Sequence, residues 1–187
     1  ALVGDDALEE AHLFLERVLE PHDREALSYF EYTTLIAMAI FQPCDYVVME
    51  AGLGGEFDAT TPFPNKKLLV VTPVGKDHTD FLGESIAKIA LTKLRAMQSL
   101  TLLGFQKSPE VYDIAQKVAT QRGLKVVSIE DGCFSELYAR GFAWGAEQLI
   151  PDFLVQNVTT AMAALHLLGI ACDLKGLEGI PLQGRCQ

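Results

Sequence analysis

Three side chains in this sequence have types and positions suited to holding a divalent cation beside an anionic ligand. Glu50 closes the short apolar run Asp45-Tyr-Val-Val-Met49 and stands just before Gly52, Gly54 and Gly55. A carboxylate at a strand end is placed to ligate a hard cation, and glycines after it let backbone approach a ligand closely. Taken alone, Gly52-Leu-Gly54-Gly55 is ordinarily a turn, and it is not the G-x-G-x-x-G dinucleotide fingerprint. His78 follows Asp77 in the loop after a second apolar run, Lys67 to Thr72. A lone loop histidine is usually solvated; a carboxylate from a neighbouring strand end strengthens the case for ligation. Lys93 stands seven residues after Ile86 and four after Ile89, on an apolar helical stripe. Buried lysines are rare and costly unless paired. Lys93 therefore either snorkels from the stripe's edge or carries an altered charge, through a lowered pKa or covalent modification. A carbamate on its nitrogen would turn a cation into an oxygen ligand for a metal.

The elements that must position these groups follow from periodicity. Residues 5–20 carry Leu8, Ala11, Leu15, Val18 and Leu19 near helical spacing, and Pro21 ends the run. Ser28-Tyr-Phe-Glu31 fits a capping box before a helix over about 29–41, stopped ahead of Pro43. Strands are expected at 45–49, 67–72, 99–104 and 124–129, and helices at 84–97 and 109–122. The helix over 153–168 should bury Leu154, Val158, Ala161, Leu165 and Leu168; residues 130–150 carry no decisive pattern. Strands alternating with helices imply an α/β fold, a mostly parallel open sheet flanked by helices. In such sheets ligands bind beyond the carboxyl ends of the strands, where the loops carrying Glu50 and His78 both emerge. Asn157, in an otherwise apolar helix, is either a local hydrogen-bonding residue or a ligand contact, and Ser28 is adequately explained as a helix cap.

Composition narrows the function classes. Apolar residues make up 49% and charged residues 21% of 187, which predicts a packed core rather than disorder. A net charge of −10 argues against a nucleic-acid or anionic-membrane partner, since both require clustered Lys and Arg. The longest apolar run, Leu35 to Phe41, is far short of the roughly 20 residues that span a bilayer. Cys44, Cys133, Cys172 and Cys186 are scattered without a C-x-x-C pair, which predicts reduced thiols in a cytoplasmic protein and no zinc site. Ala1 in place of Met, and the closing run Gly184-Arg-Cys-Gln187, lead us to expect a piece of a longer protein.

Together, several segments resemble the folylpolyglutamate synthase and dihydrofolate synthase family, a branch of the Mur ligase superfamily. They are Leu27-Ser-Tyr-Phe-Glu-Tyr-Thr33, Asp45-Tyr-Val-Val-Met-Glu-Ala-Gly-Leu-Gly-Gly-Glu-Phe-Asp-Ala-Thr60, Gly75-Lys-Asp-His-Thr-Asp-Phe-Leu-Gly83, Ile89-Ala-Leu-Thr-Lys93, Ser108-Pro-Glu-Val111, Gln156-Asn157 and Gly184-Arg185. They occur in the family's order and spacing across nearly the whole chain. The resemblance implies that residues 1–187 form part of a Mur-ligase-type central ATP-binding domain. It implies Glu50 and His78 as magnesium ligands, and Lys93 as a carbamylated lysine giving an oxygen to a second magnesium. By the same resemblance Lys93 and His78 are the catalytic pair, Asn157 reads the adenine of ATP, and Arg185 approaches its phosphates. Ser28, Phe30, Asp58 and Ala59 fall where the family holds the pterin. The implied reaction is phosphoryl transfer from ATP to a carboxylate of a folate or dihydropteroate, followed by attack of L-glutamate on the acyl phosphate. The intact enzyme is expected to be a monomer with ATP and Mg²⁺ as cofactors.

The chain departs from the family pattern in places. No G-x-x-x-x-G-K-[ST] occurs in these residues, and the family's C-terminal glutamate-binding domain would follow Arg185. The piece alone is therefore expected to be inactive. Glu56, Thr61 and Thr92 stand where the family usually has Arg, Asn and Glu. The rival reading is a non-catalytic binding or assembly module that keeps the ligase fold. A ligase for cell-wall precursors fits less well, because Phe30-Glu31 and Asp58-Ala59-Thr60 look folate-specific.

Overall fold

Helix starts and stops are set by local chemistry. The computed structural model describes residues 3–174, apart from the side chain of Gln148. These fall into two units, divided between Pro64 and Asn65. In the first, α1 (Asp5–Val18) opens with Asp5 and Asp6 and carries Arg17 in its last turn, the charge order that suits a helix dipole. Pro21, which lacks an amide proton, begins the short α2 (Pro21–Ala26). α3 (Tyr29–Phe41) starts at the expected capping box. The Glu31 amide donates to Ser28 Oγ at 3.3 Å, and the Ser28 amide donates to Glu31 Oε2 at 2.8 Å. The Ser28 hydroxyl, then its amide, hold the Glu31 carboxyl below its ordinary range. α1 packs on α3, burying Ala11 and Leu15, and His12 Nδ1 lies 2.7 Å from the Tyr32 hydroxyl. No residue of α3 is fully buried, although the helix is apolar nearly throughout.

The strand expected at 45–49 is a correction. Residues 45–50 form no ladder, and Tyr46, Val47 and Val48 are exposed, Val48 at 97%. An isolated extended run gains nothing from its own backbone polar groups, so pairing decides whether it is a strand. No strand is described in the first unit to pair with it.

The second unit holds a three-stranded parallel sheet in the order β1 (Leu68–Val71), β2 (Leu100–Leu103), β3 (Val126–Ser128). Leu68 pairs with Leu100 and Val71 with Leu103; Thr101 pairs with Val126 and Leu103 with Ser128. Short α4 (Thr79–Leu82) and α5 (Ile86–Leu94) connect β1 to β2, and α6 (Glu110–Arg122) connects β2 to β3. Successive strand residues face opposite ways, and the core divides accordingly. Leu103 joins Val71, Ile89, Leu94, Met97, Val111 and Ala115 beneath α5 and α6; Leu102 joins Ile129, Phe134 and Ala163 on the other face. The Arg122 guanidinium donates to the carbonyls of Arg95 (2.6 Å) and Met97 (2.9 Å), fastening the end of α6 to the end of α5.

Beyond β3 the undecided stretch 130–150 forms a 3-10 turn (Gly132–Phe134) and α7 (Ser135–Gln148), which packs on α8 (Asp152–Leu167). The buried face of α8 is Val155, Thr159, Thr160, Met162 and Ala163, one residue round from the predicted stripe. Two threonines can turn inward because their hydroxyls donate to the carbonyls of Val155 and Gln156, each at 2.8 Å. Gly141 and Gly145 of α7 lie against Thr159 and Val155, so the two backbones approach closely. No described helix is long and apolar enough to cross a membrane.

Candidate functional site

The loops leaving the carboxyl ends of β1, β2 and β3 are tied together by side chains. Gln106 Oε1 accepts from the Val74 amide at 2.9 Å. Gln106 Nε2 faces the carbonyls of Val71, Thr72 and Gly104 at 3.3, 3.2 and 3.1 Å. The Gln106 amide donates to the Tyr112 hydroxyl at 3.1 Å, and that hydroxyl donates to Glu130. Burial first, and the Glu130 carboxylate next, hold the Tyr112 hydroxyl above its usual pKa, so it remains a donor at neutral pH. Gly104 sits tightly in this closure: a Cβ there would lie 3.1 Å from Thr160 Oγ1 and 3.4 Å from the Val71 carbonyl, so Thr160 would have to give by a few tenths of an ångström.

His78 follows this clamp. It adopts a left-handed backbone, φ 48°, and forms the N-cap of α4. That region is uncommon for residues other than glycine, although asparagine, aspartate and histidine are enriched there. The Asp77 carboxylate accepts from the His78 amide at 2.8 Å and lies 3.7 Å from Nε2. The imidazole is exposed. Lys93, in the last turn of α5, is half-buried beside fully buried Ile89, Ala90 and Leu94, and no described residue pairs with its amine. His78 and Lys93 thus belong to consecutive helices that pack on each other. Asn157 presents an exposed amide on α8, and Arg185 lies outside the described residues.

Glu50 and the four residues matched to pterin binding belong to the first unit. Glu50 is exposed, in the segment that forms no ladder. Ser28 spends its hydroxyl on the α3 cap. Phe30 packs its ring on the glycine loop: a Cβ on Gly52 would stand 2.8 Å from the ring. Asp58 is the loop's organiser, only 7% exposed. Its carboxylate accepts from the Leu53 amide (3.0 Å), the Thr60 amide (2.9 Å) and the Thr60 hydroxyl (2.6 Å). Ala59 is carried between Asp58 and Thr60. Thr61, a departure from the family pattern, closes the same loop by donating its hydroxyl to the Gly55 carbonyl. Within neither unit do three or more described His, Cys, Asp or Glu side chains group to hold a metal.

Burial pushes the Asp58 carboxyl up, but hydrogen bonds from the Thr60 hydroxyl and the amides of Leu53, Thr60 and Gly52 outweigh it and hold the pKa below the ordinary range. A depressed carboxylate contributes stability above its unfolded pKa and loses it as pH falls through the folded value. Amide protection at Leu53 and Thr60 should therefore persist into acid below the usual carboxylate range. Asp58→Ala should remove it at all pH values, at a local cost of about 2–3 kcal/mol, read by hydrogen exchange; protection indifferent to that substitution would rule out the carboxylate as organiser.

A parallel sheet with helical crossovers defines an open α/β protein. The chain belongs to the dihydrofolate synthase/folylpolyglutamate synthase family, within the Mur ligase superfamily. It is 30% identical to the dihydrofolate synthase/folylpolyglutamate synthase of Haemophilus influenzae, over 98% of this chain and 44% of that protein. It is 34% identical to the Escherichia coli protein of the same description, over 87% of this chain and 41% of the relative. The crystal structure of Helicobacter pylori folylpolyglutamate synthetase matches all of this chain and 46% of its own, with TM-score 0.75 and 33% identity. Mycobacterium tuberculosis folylpolyglutamate synthase complexed with ADP and AMPPCP matches 67% of this chain and 31% of its own, with TM-score 0.59 and 27% identity. No family model matches. The chain spans about half the length of the curated relatives it matches.

Sequence reasoning missed Gln106, Tyr112, Glu130, and the glycine pair of α7. The spacing Gly141-x-x-x-Gly145 was the one available signal, since it puts two glycines on one helical face.

Proposed function

We propose that the protein to which these residues belong is an ATP-dependent ligase that joins L-glutamate to dihydropteroate, folates or both. The likeness to dihydrofolate synthase/folylpolyglutamate synthases, running through nearly the whole chain, carries the reading. The ADP and AMPPCP bound by the Mycobacterium tuberculosis relative support a nucleotide as ligand. Residues 1–187 then belong to the central ATP-binding domain, in a cytoplasmic monomer.

Taken each within its own unit, the proposed donors suit Mg²⁺ unequally. In the first unit Glu50 offers carboxylate oxygens; in the second His78 offers an exposed imidazole nitrogen, a poorer donor for a hard cation, and Lys93 fits only as its carbamate, because an ammonium cannot ligate. The half-buried amine without a described partner suits that modification. Bound magnesium would offset the charge spread over the transferred phosphoryl group. The chain's own contributions are positional. His78 is held by its left-handed backbone ahead of α4, Asn157 offers an amide able to donate to and accept from an adenine edge, and the Asp58-organised loop holds Gly52 against Phe30.

The reading is tested with the full-length protein. ADP release should require both glutamate and a pteroate or folate, and the pterin product should gain one glutamate in mass. Nucleotide binding without such turnover would favour the binding-module reading instead.

A further inference from the structure

We infer that Gln106 is a positioning residue, whose side-chain amide fixes the loop that carries His78; the inference rests on the ligase reading above. Three residues past β2, Gln106 contacts backbone on both sides of the junction between two strands. Its oxygen takes the Val74 amide, and its nitrogen faces three carbonyls that end β1 and β2. Val74 is 3% exposed, so without Gln106 its amide would lose its acceptor in a part-buried setting. Separately, the Gln106 backbone amide donates to the Tyr112 hydroxyl, which donates to Glu130 past the end of β3; that link does not depend on the side chain.

Beyond Val74 the chain crosses Gly75, whose Cα has open space around it, and reaches His78 within four residues. On the far side of the loop Leu82 packs on the core, and Gly83, at φ 97°, lies against Lys88 of α5. His78 is therefore suspended between two apolar anchors, Val74 and Leu82, and at the Val74 end Gln106 adds the hydrogen bonds that fix the backbone. A primary amide suits the place because it accepts from one partner while donating to others. A carboxylate of the same size keeps the acceptor but meets three carbonyls with no proton to give.

The test uses Gln106→Leu and Gln106→Glu in the full-length protein. Hydrogen exchange should rise about tenfold or more across 72–79 in both variants at neutral pH, with β1–β3 remaining protected. KM for ATP should rise about tenfold, with a smaller change in kcat. Gln106→Glu should recover part of this loss as pH falls from about 8 to about 6, because a carboxyl facing carbonyls takes up a proton and donates it; Gln106→Leu should not. That pH signature separates positioning from a general loss of stability. Unchanged exchange across 72–79, a KM for ATP within about twofold of wild type, or a Gln106→Glu profile parallel to that of Gln106→Leu would each overturn the inference. If the wild-type protein shows no glutamate-dependent ATP turnover, the ligase reading falls, and the exchange measurement, which needs no substrate, decides the clamp by itself.

Discussion

Lys93→Ala in the full-length protein should lower glutamate-dependent ATP turnover by about a thousandfold, while the protein stays folded. The two halves of that expectation have separate grounds. Lys93 is half-buried at the edge of the α5 stripe, and Ile89, Ala90 and Leu94 carry the burial. Alanine is the best helix former, so the substitution leaves α5 intact. No described residue pairs with the amine, so no ion pair is lost either. What is removed is a nitrogen able to become a carbamate and offer oxygen to a cation. Added bicarbonate should not restore turnover, because no amine remains to react with it. Wild-type rates in this variant, or an equal fall in melting temperature and activity, would remove Lys93 from the chemistry.

The second large effect concerns packing. Gly145→Val should destabilise the protein by about 3 kcal/mol. In an open helix the change would be slightly favourable, since glycine costs about 1 kcal/mol relative to alanine and valine somewhat less. Here a Cβ on residue 145 would meet Val155 Cγ2 at 2.4 Å and Cγ1 at 3.2 Å. One turn earlier, a Cβ on Gly141 would stand 2.2 Å from Thr159 Oγ1. α7 cannot move away without uncovering Val155 and Thr159, so the clash outweighs the propensity gain. Melting followed by far-ultraviolet dichroism should fall by about 10 °C. The single tryptophan, Trp144, lies beside the substituted residue and gives a second readout. A variant as stable as wild type would mean that the two helices are not in close contact there.

Much of the fold was legible because its causes are local. The capping box and the nearby proline marked α3, and the apolar runs gave three strands with their connecting helices. The failures have non-local causes. Asp45–Met49 has strand composition, but a ladder depends on a partner distant in sequence. The α8 face was misread by one residue because back-bonded threonine hydroxyls can be buried, which a hydrophobic pattern does not register. The pattern over 130–150 is indecisive because the two glycines of α7 weaken the helical signal, and the same glycines create its packing surface.

The site divides in the same way. Glu50, His78 and Lys93 stood out by residue type in loop or stripe positions. Asp58 was singled out by resemblance, and its position inside a ring of donors became visible only with the loop folded. Gln106 gave no signal at all. The work of a primary amide depends on carbonyls brought to it by the sheet, and no neighbour in sequence announces them.

A laboratory selection for heat tolerance alone would drift away from histidine at position 78. The left-handed backbone there, φ 48°, is one that glycine occupies freely, and the exchange would relieve up to about 1 kcal/mol of backbone cost, less what glycine's greater freedom in the unfolded chain gives back. Such a lineage would grow sturdier as it lost its imidazole. Only where cell growth also depended on that ring would the less comfortable residue survive, which makes position 78 a place where endurance and chemistry pull in opposite directions.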